Sequence, residues 1–122
     1  MDNILIIGIG SYLPNKIIPN DSLPSELNTS DEWIRKRTGI TQRHIVSENE
    51  LTSTMAIEAS KKALINANID SEEIDLIVLA TTTPDNTLPA TAVKVQSELN
   101  IKTGPAFDIQ AVCAGFIYAL KV

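Results

Sequence analysis

The 122-residue sequence contains only one cysteine and one histidine. A single cysteine cannot form an internal disulfide or build a cysteine-based zinc site alone, and it suits a reducing compartment such as the cytoplasm. No second histidine is available as a general base, and no cluster has the spacing of metal ligands. These absences predict a cytoplasmic chain without a metal site.

The chain also lacks long hydrophobic runs and an excess of positive charge. No stretch of about 18 apolar residues is present, which argues against a membrane-spanning helix, and the first residues lack the basic region of a signal peptide. The net charge of −5 argues against nucleic-acid binding. A hydrophobic fraction of 43% with 20% charged residues is typical of a soluble globular domain.

The positive charge that is present is concentrated in one segment. Residues 31–44 carry four basic side chains (Arg35, Lys36, Arg37 and Arg43) against two acidic ones, a net +2, whereas the rest of the chain carries −7. Charge alone leaves two interpretations of this segment, a solvated face or an anion-binding site.

Hydrophobic patterning predicts alternating strands and helices. Apolar, β-branched runs indicate buried strands, and apolar residues at helical spacing indicate amphipathic helices. The predicted strands are Asn3 to Ile9, Ile40 to Val46, Asp75 to Thr82 and Ala106 to Ile109, and the predicted helices are Asp31 to Thr38, Thr52 to about Asn68, one beginning near Pro89 and one after Cys113. This alternation predicts an α/β fold with a mainly parallel sheet.

Three features have more than one interpretation from the residues alone. Cys113 lies at a predicted strand-to-helix junction among small residues, which suits a nucleophile near a helix N-terminus, but free cysteines are usually inert core residues. Trp33 is either a core residue or a platform for a flat ligand beside neighbouring arginines. His44 lies in the basic segment and is better explained as structural or phosphate-adjacent than as a catalytic base.

Four segments of the chain together resemble one enzyme family. They are Gly8 to Pro14; Thr29 to Ile34 with Arg37 to Ile40 and Arg43 to Ile45; Ala80 to Thr82 with Pro89, Gln96 and Ser97; and Pro105 to Asp108 with Cys113 to Phe116 and Tyr118 to Leu120. In this order they are similar to the N-terminal part of bacterial β-ketoacyl-acyl-carrier-protein synthase III, a thiolase-fold condensing enzyme that starts fatty-acid synthesis.

The resemblance implies an acyltransferase. Cys113 matches the family nucleophile, which takes the acyl group of a short acyl-CoA, commonly acetyl-CoA, as a thioester; a malonyl-carrier-protein then loses CO2 and its carbanion attacks the acyl-cysteine. Trp33 matches the residue that stacks on the CoA adenine, Arg37 matches its partner, and Thr29 lies beside them. The implied partners are acyl-CoA, malonyl-acyl-carrier-protein and, in the full-length family, a second copy of the enzyme. CoA enters as a substrate, so no cofactor is expected.

The sequence departs from the family in two ways. The catalytic histidine and asparagine of the family lie well beyond its cysteine and match no position here, and His44 does not correspond to that histidine. Leu88 stands where some members carry a phenylalanine that limits acyl length, so the acyl preference stays open. We therefore expect residues 1–122 to form an incomplete N-terminal thiolase-like domain that ends in the apolar helix after Cys113.

Three alternatives to a synthase III remain. The chain could be a non-catalytic remnant or interaction fragment of such an enzyme. It could also be a related thiolase-fold enzyme that uses other CoA thioesters. The third alternative, a nucleotide-binding α/β domain, depends only on Gly8 and Gly10, because Leu13 occupies the place of the third glycine in the dinucleotide-binding fingerprint.

Overall fold

The structure is a computed structural model that describes residues 4–122. Its strands are β1 (Lys16–Pro19), β2 (Gln42–Ile45), β3 (Ile77–Ala80) and β4 (Ala106–Ile109), and its helices are α1 (Asp31–Thr38), α2 (Thr52–Ala67), α3 (Thr91–Glu98) and α4 (Gly115–Lys121). The chain divides into two compact units, which are described separately. Leu13–Glu50 forms one unit, and the residues up to Tyr12 together with Leu51–Val122 form the other.

The Leu13–Glu50 unit consists of an antiparallel strand pair and helix α1. β1 pairs with β2 in a register that places Lys16 opposite Ile45 and Pro19 opposite Gln42. β1 was not predicted, because its four residues follow and include prolines that indicate a loop. β2 confirms the strand predicted over Ile40 to Val46, although it is shorter at both ends.

Helix α1 has the bounds predicted from its sequence. The Ser30 hydroxyl accepts a hydrogen bond from the Trp33 backbone N–H at 3.1 Å, which caps the first turn. Gly39 ends the helix in the left-handed conformation at φ 72°, which glycine adopts without steric cost. The acidic residues lie in the first turn and the basic residues in the last, as the helix dipole favours.

The second unit is built on a parallel strand pair covered by helices. β3 pairs with β4 in a register that places Ile77 opposite Ala106 and Ala80 opposite Ile109. Val95, Leu99 and Ile101 form the buried core, and partly buried side chains of α2 and β3 pack on it. The predicted α/β class is confirmed. β4 has the predicted bounds, and α2 ends one residue before the predicted position.

The strand predicted over Asn3 to Ile9 is wrong for the described residues 4–9, and Asn3 lies outside the described range. No strand pairs with this segment among residues 4–122, and its apolar side chains are exposed, for example Ile4 at 78% and Ile9 at 73%. The apolar pattern indicates burial, but a strand also requires a neighbouring strand for its backbone hydrogen bonds. The segment instead contacts α2 through Gly8 and Gly10, whose backbones approach Ala63 closely.

Two predicted element bounds also need correction. α3 begins at Thr91 and not at Pro89, because the Asp108 carboxylate accepts hydrogen bonds from the backbone N–H groups of Thr91 and Ala92. β3 is shorter than the predicted Asp75 to Thr82, and its residues are half-buried at most. Its hydrogen-bonding partner β4 has only four residues, which limits the length of the ladder.

Helix α4 is apolar and exposed. The sequence predicts a core helix here, and in the structure Phe116, Ile117 and Tyr118 are 59–65% exposed. Among residues 4–122, no helix combines the length and the apolar character needed to cross a bilayer.

Candidate active site

Cys113 is positioned by the carboxyl ends of the parallel strands. β3 ends at Ala80 and β4 ends at Ile109, opposite each other in the register, and the Thr81 N–H donates to the Ile109 carbonyl at 3.1 Å. The chain then leaves β4 and reaches Cys113 four residues later. The carboxyl edge of a parallel sheet is where α/β proteins place their ligands.

A strained turn holds the cysteine in place. Val112 has φ 47°, in the left-handed region that β-branched residues rarely occupy. The next turn is a 3-10 helix over Val112–Ala114, closed by the Ala114 N–H donating to the Ala111 carbonyl at 2.9 Å. Gly115 then begins α4 so close to β3 that an added Cβ would lie 3.0 Å from the Ala80 Cβ. This geometry fixes Cys113 between the strand ends and the helix.

The thiol of Cys113 is accessible. The residue is exposed and lines an open cleft of about 340 Å³. The other lining residues are mostly small: Ala80, Thr81, Thr82, Ala111, Val112 and Gly115. The structure therefore does not place Cys113 in the core, as one interpretation predicted. An exposed thiol beside small side chains can receive an acyl group from a ligand that enters the cleft.

Asp108, inside β4, caps the beginning of helix α3. Its carboxylate oxygens accept hydrogen bonds from the Thr91 and Ala92 backbone N–H groups, both at 2.8 Å, so it links β4 to the beginning of α3. A carboxylate at a helix N-terminus satisfies backbone donors that the helix leaves unpaired. Sequence reasoning assigned no role to Asp108, although an acidic residue inside an apolar strand was the available signal.

A second carboxylate, Asp85, lies in the same unit with its side chain 2% exposed. Burial alone would raise its pKa, but hydrogen bonds from the Ser53 backbone N–H and from Lys94, together with the Lys94 charge, outweigh that effect. The pKa of Asp85 is therefore lower than its ordinary value. The Ser53 N–H lies 2.9 Å from Oδ1, and the Lys94 Nζ lies 3.2 Å from Oδ2.

Trp33 and Arg37 form a stacked pair on α1. They are one helical turn apart, and the Arg37 guanidinium carbon lies 4.1 Å from the centroid of the Trp33 ring. Trp33 remains 51% exposed, so it is not the core residue that one interpretation predicted. Thr29 is exposed in the loop immediately before the capping Ser30. An indole with an adjacent guanidinium can recognise a flat, anionic ligand.

His44 is held by the backbone of its own unit. Its Nδ1 lies 2.5 Å from the Pro14 carbonyl oxygen, and because a carbonyl only accepts, this nitrogen carries the proton. This arrangement agrees with the predicted structural role. Among the described residues, no group of three or more histidine, cysteine, aspartate or glutamate side chains could hold a metal ion.

The structure therefore brings together the predicted pair Trp33 and Arg37 and places Thr29 just before their helix, all in the Leu13–Glu50 unit. Cys113 belongs to the other unit. The role predicted for each of these residues stays a prediction.

Comparisons with known proteins identify relatives for the whole chain. It is 62% identical to the β-ketoacyl-[acyl-carrier-protein] synthase III of Ehrlichia canis over 100% of its own length and 38% of the relative. It is 57% identical to the protein of the same name from Bradyrhizobium diazoefficiens, over 95% of the chain and 36% of the relative. No protein-family model matches the chain.

Solved structures agree with the sequence relatives. The crystal structure of 3-oxoacyl-[acyl-carrier-protein] synthase III from Aquifex aeolicus superimposes with a TM-score of 0.84 at 51% identity, over 95% of this chain and 37% of that one. The chain thus spans between a third and two fifths of the length of these relatives. By sequence and by fold, the chain matches the N-terminal part of the bacterial β-ketoacyl-[acyl-carrier-protein] synthases III, which have the thiolase fold.

Proposed function

We propose that this chain carries the acyl-accepting part of a β-ketoacyl-acyl-carrier-protein synthase III, with Cys113 as the nucleophile. The observation that carries the proposal is the exposed Cys113 thiol, which a strained turn presents in a cleft at the carboxyl ends of β3 and β4. The similarity to synthases III over the whole chain supports the same assignment.

The proposed first step transfers the acyl group to the protein. The Cys113 thiolate attacks the thioester carbonyl of a short acyl-CoA such as acetyl-CoA. A tetrahedral oxyanion forms, for which the Cys113 backbone N–H is a candidate donor. The intermediate collapses by breaking the carbonyl carbon bond to the CoA sulfur, and the CoA thiolate leaves and takes up a proton. The product is S-acyl-Cys113.

The proposed second step is condensation with a malonyl-acyl-carrier-protein. Loss of CO2 leaves a carbanion at the carbon next to the carrier's thioester, and this carbanion attacks the acyl carbonyl of S-acyl-Cys113. The Cys113 thiolate leaves, and the β-ketoacyl chain remains on the carrier. The histidine and asparagine that promote this step in the family match no position in this chain, so we assign only acyl transfer to its own residues.

We propose that Trp33, Arg37 and Thr29 bind the nucleotide end of CoA. The adenine has a flat π-face that suits the indole, and the guanidinium of Arg37 can pair with phosphate. The remaining basic residues of α1, Arg35 and Lys36, add positive charge to the same helix. Acyl-CoA is then a substrate, the carrier protein and a second enzyme copy are partners, and the cytoplasm is the proposed compartment.

Acetylation of Cys113 tests the proposal. The 1–122 chain is incubated with acetyl-CoA and analysed by intact-mass spectrometry with peptide mapping, alongside Cys113→Ala. We expect one acetyl group on the wild type, located on Cys113, and none on the variant. A folded wild type without an adduct would contradict acyl transfer by this chain and favour the alternative, a non-catalytic remnant.

A further inference from the structure

Asn20 is a buried amide whose hydrogen bonds connect the parts of the Leu13–Glu50 unit. It is 4% exposed. Its Nδ2 donates to the Asp31 Oδ1 at 2.8 Å and to the Ile40 carbonyl at 2.7 Å, and its Oδ1 accepts from the Arg43 Nη2 at 3.0 Å. Its backbone N–H also donates to the Thr41 carbonyl at 3.1 Å. The side-chain amide therefore uses both donor hydrogens and its oxygen.

These bonds hold helix α1 at both of its ends. Asp31 is the first residue of α1, and Ile40 follows the Gly39 that ends it. Arg43 belongs to β2, so the same amide also connects the helix to the strand pair. Asn20 therefore restrains both ends of α1. Tilting the helix or rotating it about its axis would break a buried hydrogen bond, which lowers the stability of the fold.

Apolar packing alone would orient α1 poorly. Ile34 is the only residue of this helix that is buried. A single apolar contact restrains the position of the helix but not its rotation about its own axis. Successive side chains of an α-helix point about 100° apart, so such a rotation would change where the exposed side chains face. The direction in which Trp33 and Arg37 face therefore depends on the hydrogen bonds of Asn20.

We propose that Asn20 is a positioning residue for the nucleotide site, because it fixes the orientation of the Trp33–Arg37 pair. This inference depends on the proposed function of that pair in binding CoA. Asn20 itself need not touch the ligand. Its expected signature is a loss of affinity for ligands that contain the nucleotide, with no effect on acyl donors that lack it.

The test uses the emission of Trp33, the only tryptophan of the chain, as the binding signal. The 1–122 chain is titrated with adenosine 3′,5′-bisphosphate, the nucleotide end of CoA. Asn20→Asp keeps the side-chain shape but replaces the donor group with an acceptor facing Asp31 and Ile40, and we expect it to weaken binding by about tenfold. Asn15→Asp, the same substitution at an exposed position of the same unit, should leave affinity unchanged.

A charge swap tests the geometry directly. In Asn20→Asp combined with Asp31→Asn, the donor and the acceptor exchange places, so the bond between these positions can form again. We expect the double variant to recover part of the affinity that Asn20→Asp loses. Arg43→Lys, which removes the guanidinium bond to the Asn20 Oδ1, should weaken binding even if Asn20→Asp proves too unstable to measure.

A second readout separates positioning from general stability. Acetylation of Cys113 by acetyl-CoA should slow in Asn20→Asp, whereas acetylation by S-acetyl-pantetheine, which lacks the nucleotide, should proceed as in the wild type. Equal nucleotide affinity in wild type and in the folded Asn20→Asp variant would overturn the role of Asn20 alone. Absence of binding by the wild type would overturn the nucleotide site itself, and the inference with it.

Discussion

The Arg37 guanidinium carbon lies 4.1 Å from the centroid of the Trp33 indole, one turn along the same helix. The two side chains thus form a preorganised platform whose stacking does not require a ligand. Such an arrangement lowers the entropy that binding would otherwise cost, because two long side chains are already ordered.

Arg37→Lys should weaken nucleotide binding while leaving the fold intact. Lysine keeps the charge but has no planar group to stack on the indole or to bind phosphate with two parallel bonds. We expect adenosine 3′,5′-bisphosphate to bind about five- to thirtyfold more weakly, measured by titration of Trp33 emission. Arg35→Lys on the same helix is the matched control. Unchanged affinity in both variants would show that only the positive charge of the helix matters, and an equal loss in both would contradict a specific role of the Arg37 guanidinium.

Val112→Gly should relieve strain while reducing the reactivity of Cys113. The left-handed conformation costs an ordinary residue about 1–2 kcal/mol, and glycine avoids this cost but loses about 0.5–1 kcal/mol more conformational entropy on folding. Because Val112 is 72% exposed, little packing is lost. We expect a gain of up to about 1 kcal/mol in unfolding free energy, measured with urea, and slower acetylation of Cys113.

Asn100→Gly is the control for that variant, since Asn100 also has a positive φ, 57°, but asparagine tolerates it. It should change neither property appreciably. Unchanged acetylation in Val112→Gly would mean that the turn holds Cys113 without help from the valine.

Asp85→Asn should remove a pH-dependent part of the stability. The folded state lowers the pKa of Asp85 below its ordinary value near 3.9, so the ionised carboxylate stabilises the fold above about pH 4. This contribution is lost as the pH falls through the lower pKa of the folded state. We expect the variant to be about 1–2 kcal/mol less stable at pH 7, with a difference that shrinks below pH 4.

Urea unfolding across that pH range measures the difference. Asp75→Asn, the same substitution at an exposed aspartate of the same unit, is the matched control. A constant difference between wild type and Asp85→Asn at all pH values would contradict the assignment.

Gly10→Ala should strongly destabilise the contact between the N-terminal segment and α2. An added Cβ would collide with backbone atoms of Ala59 and Ala63, which cannot move as a side chain can. We expect a loss of more than about 2 kcal/mol in unfolding free energy. Gly39→Ala, where an added Cβ meets nothing within 4 Å, should cost only about 1 kcal/mol, for its positive φ. Comparable losses at both positions would contradict the close approach.

The elements whose bounds depend on adjacent residues could be predicted from the sequence. α1 begins and ends where Ser30 and Gly39 indicate, because capping depends on adjacent residues. β4 was predicted with its bounds, and α2 was within one residue at its end. β1 was missed because its prolines indicate a loop and only its pairing with the distant β2 makes it a strand. The segment 4–9 was wrongly assigned to a strand because its apolar pattern does not specify a neighbour.

The sequence by itself determined the resemblance to synthases III, the α/β class and the candidates Cys113, Trp33, Arg37 and Thr29, since the order and spacing of motifs along a chain can be read without knowing how it folds. The tertiary structure alone decided that Cys113 is exposed in a cleft and that Trp33 and Arg37 are stacked. It also decided that Asn20 ties α1 to β2, and that Asp108 caps α3. Hydrogen bonds between distant residues and the exposure of a side chain depend on how segments pack, which no local pattern of residues contains.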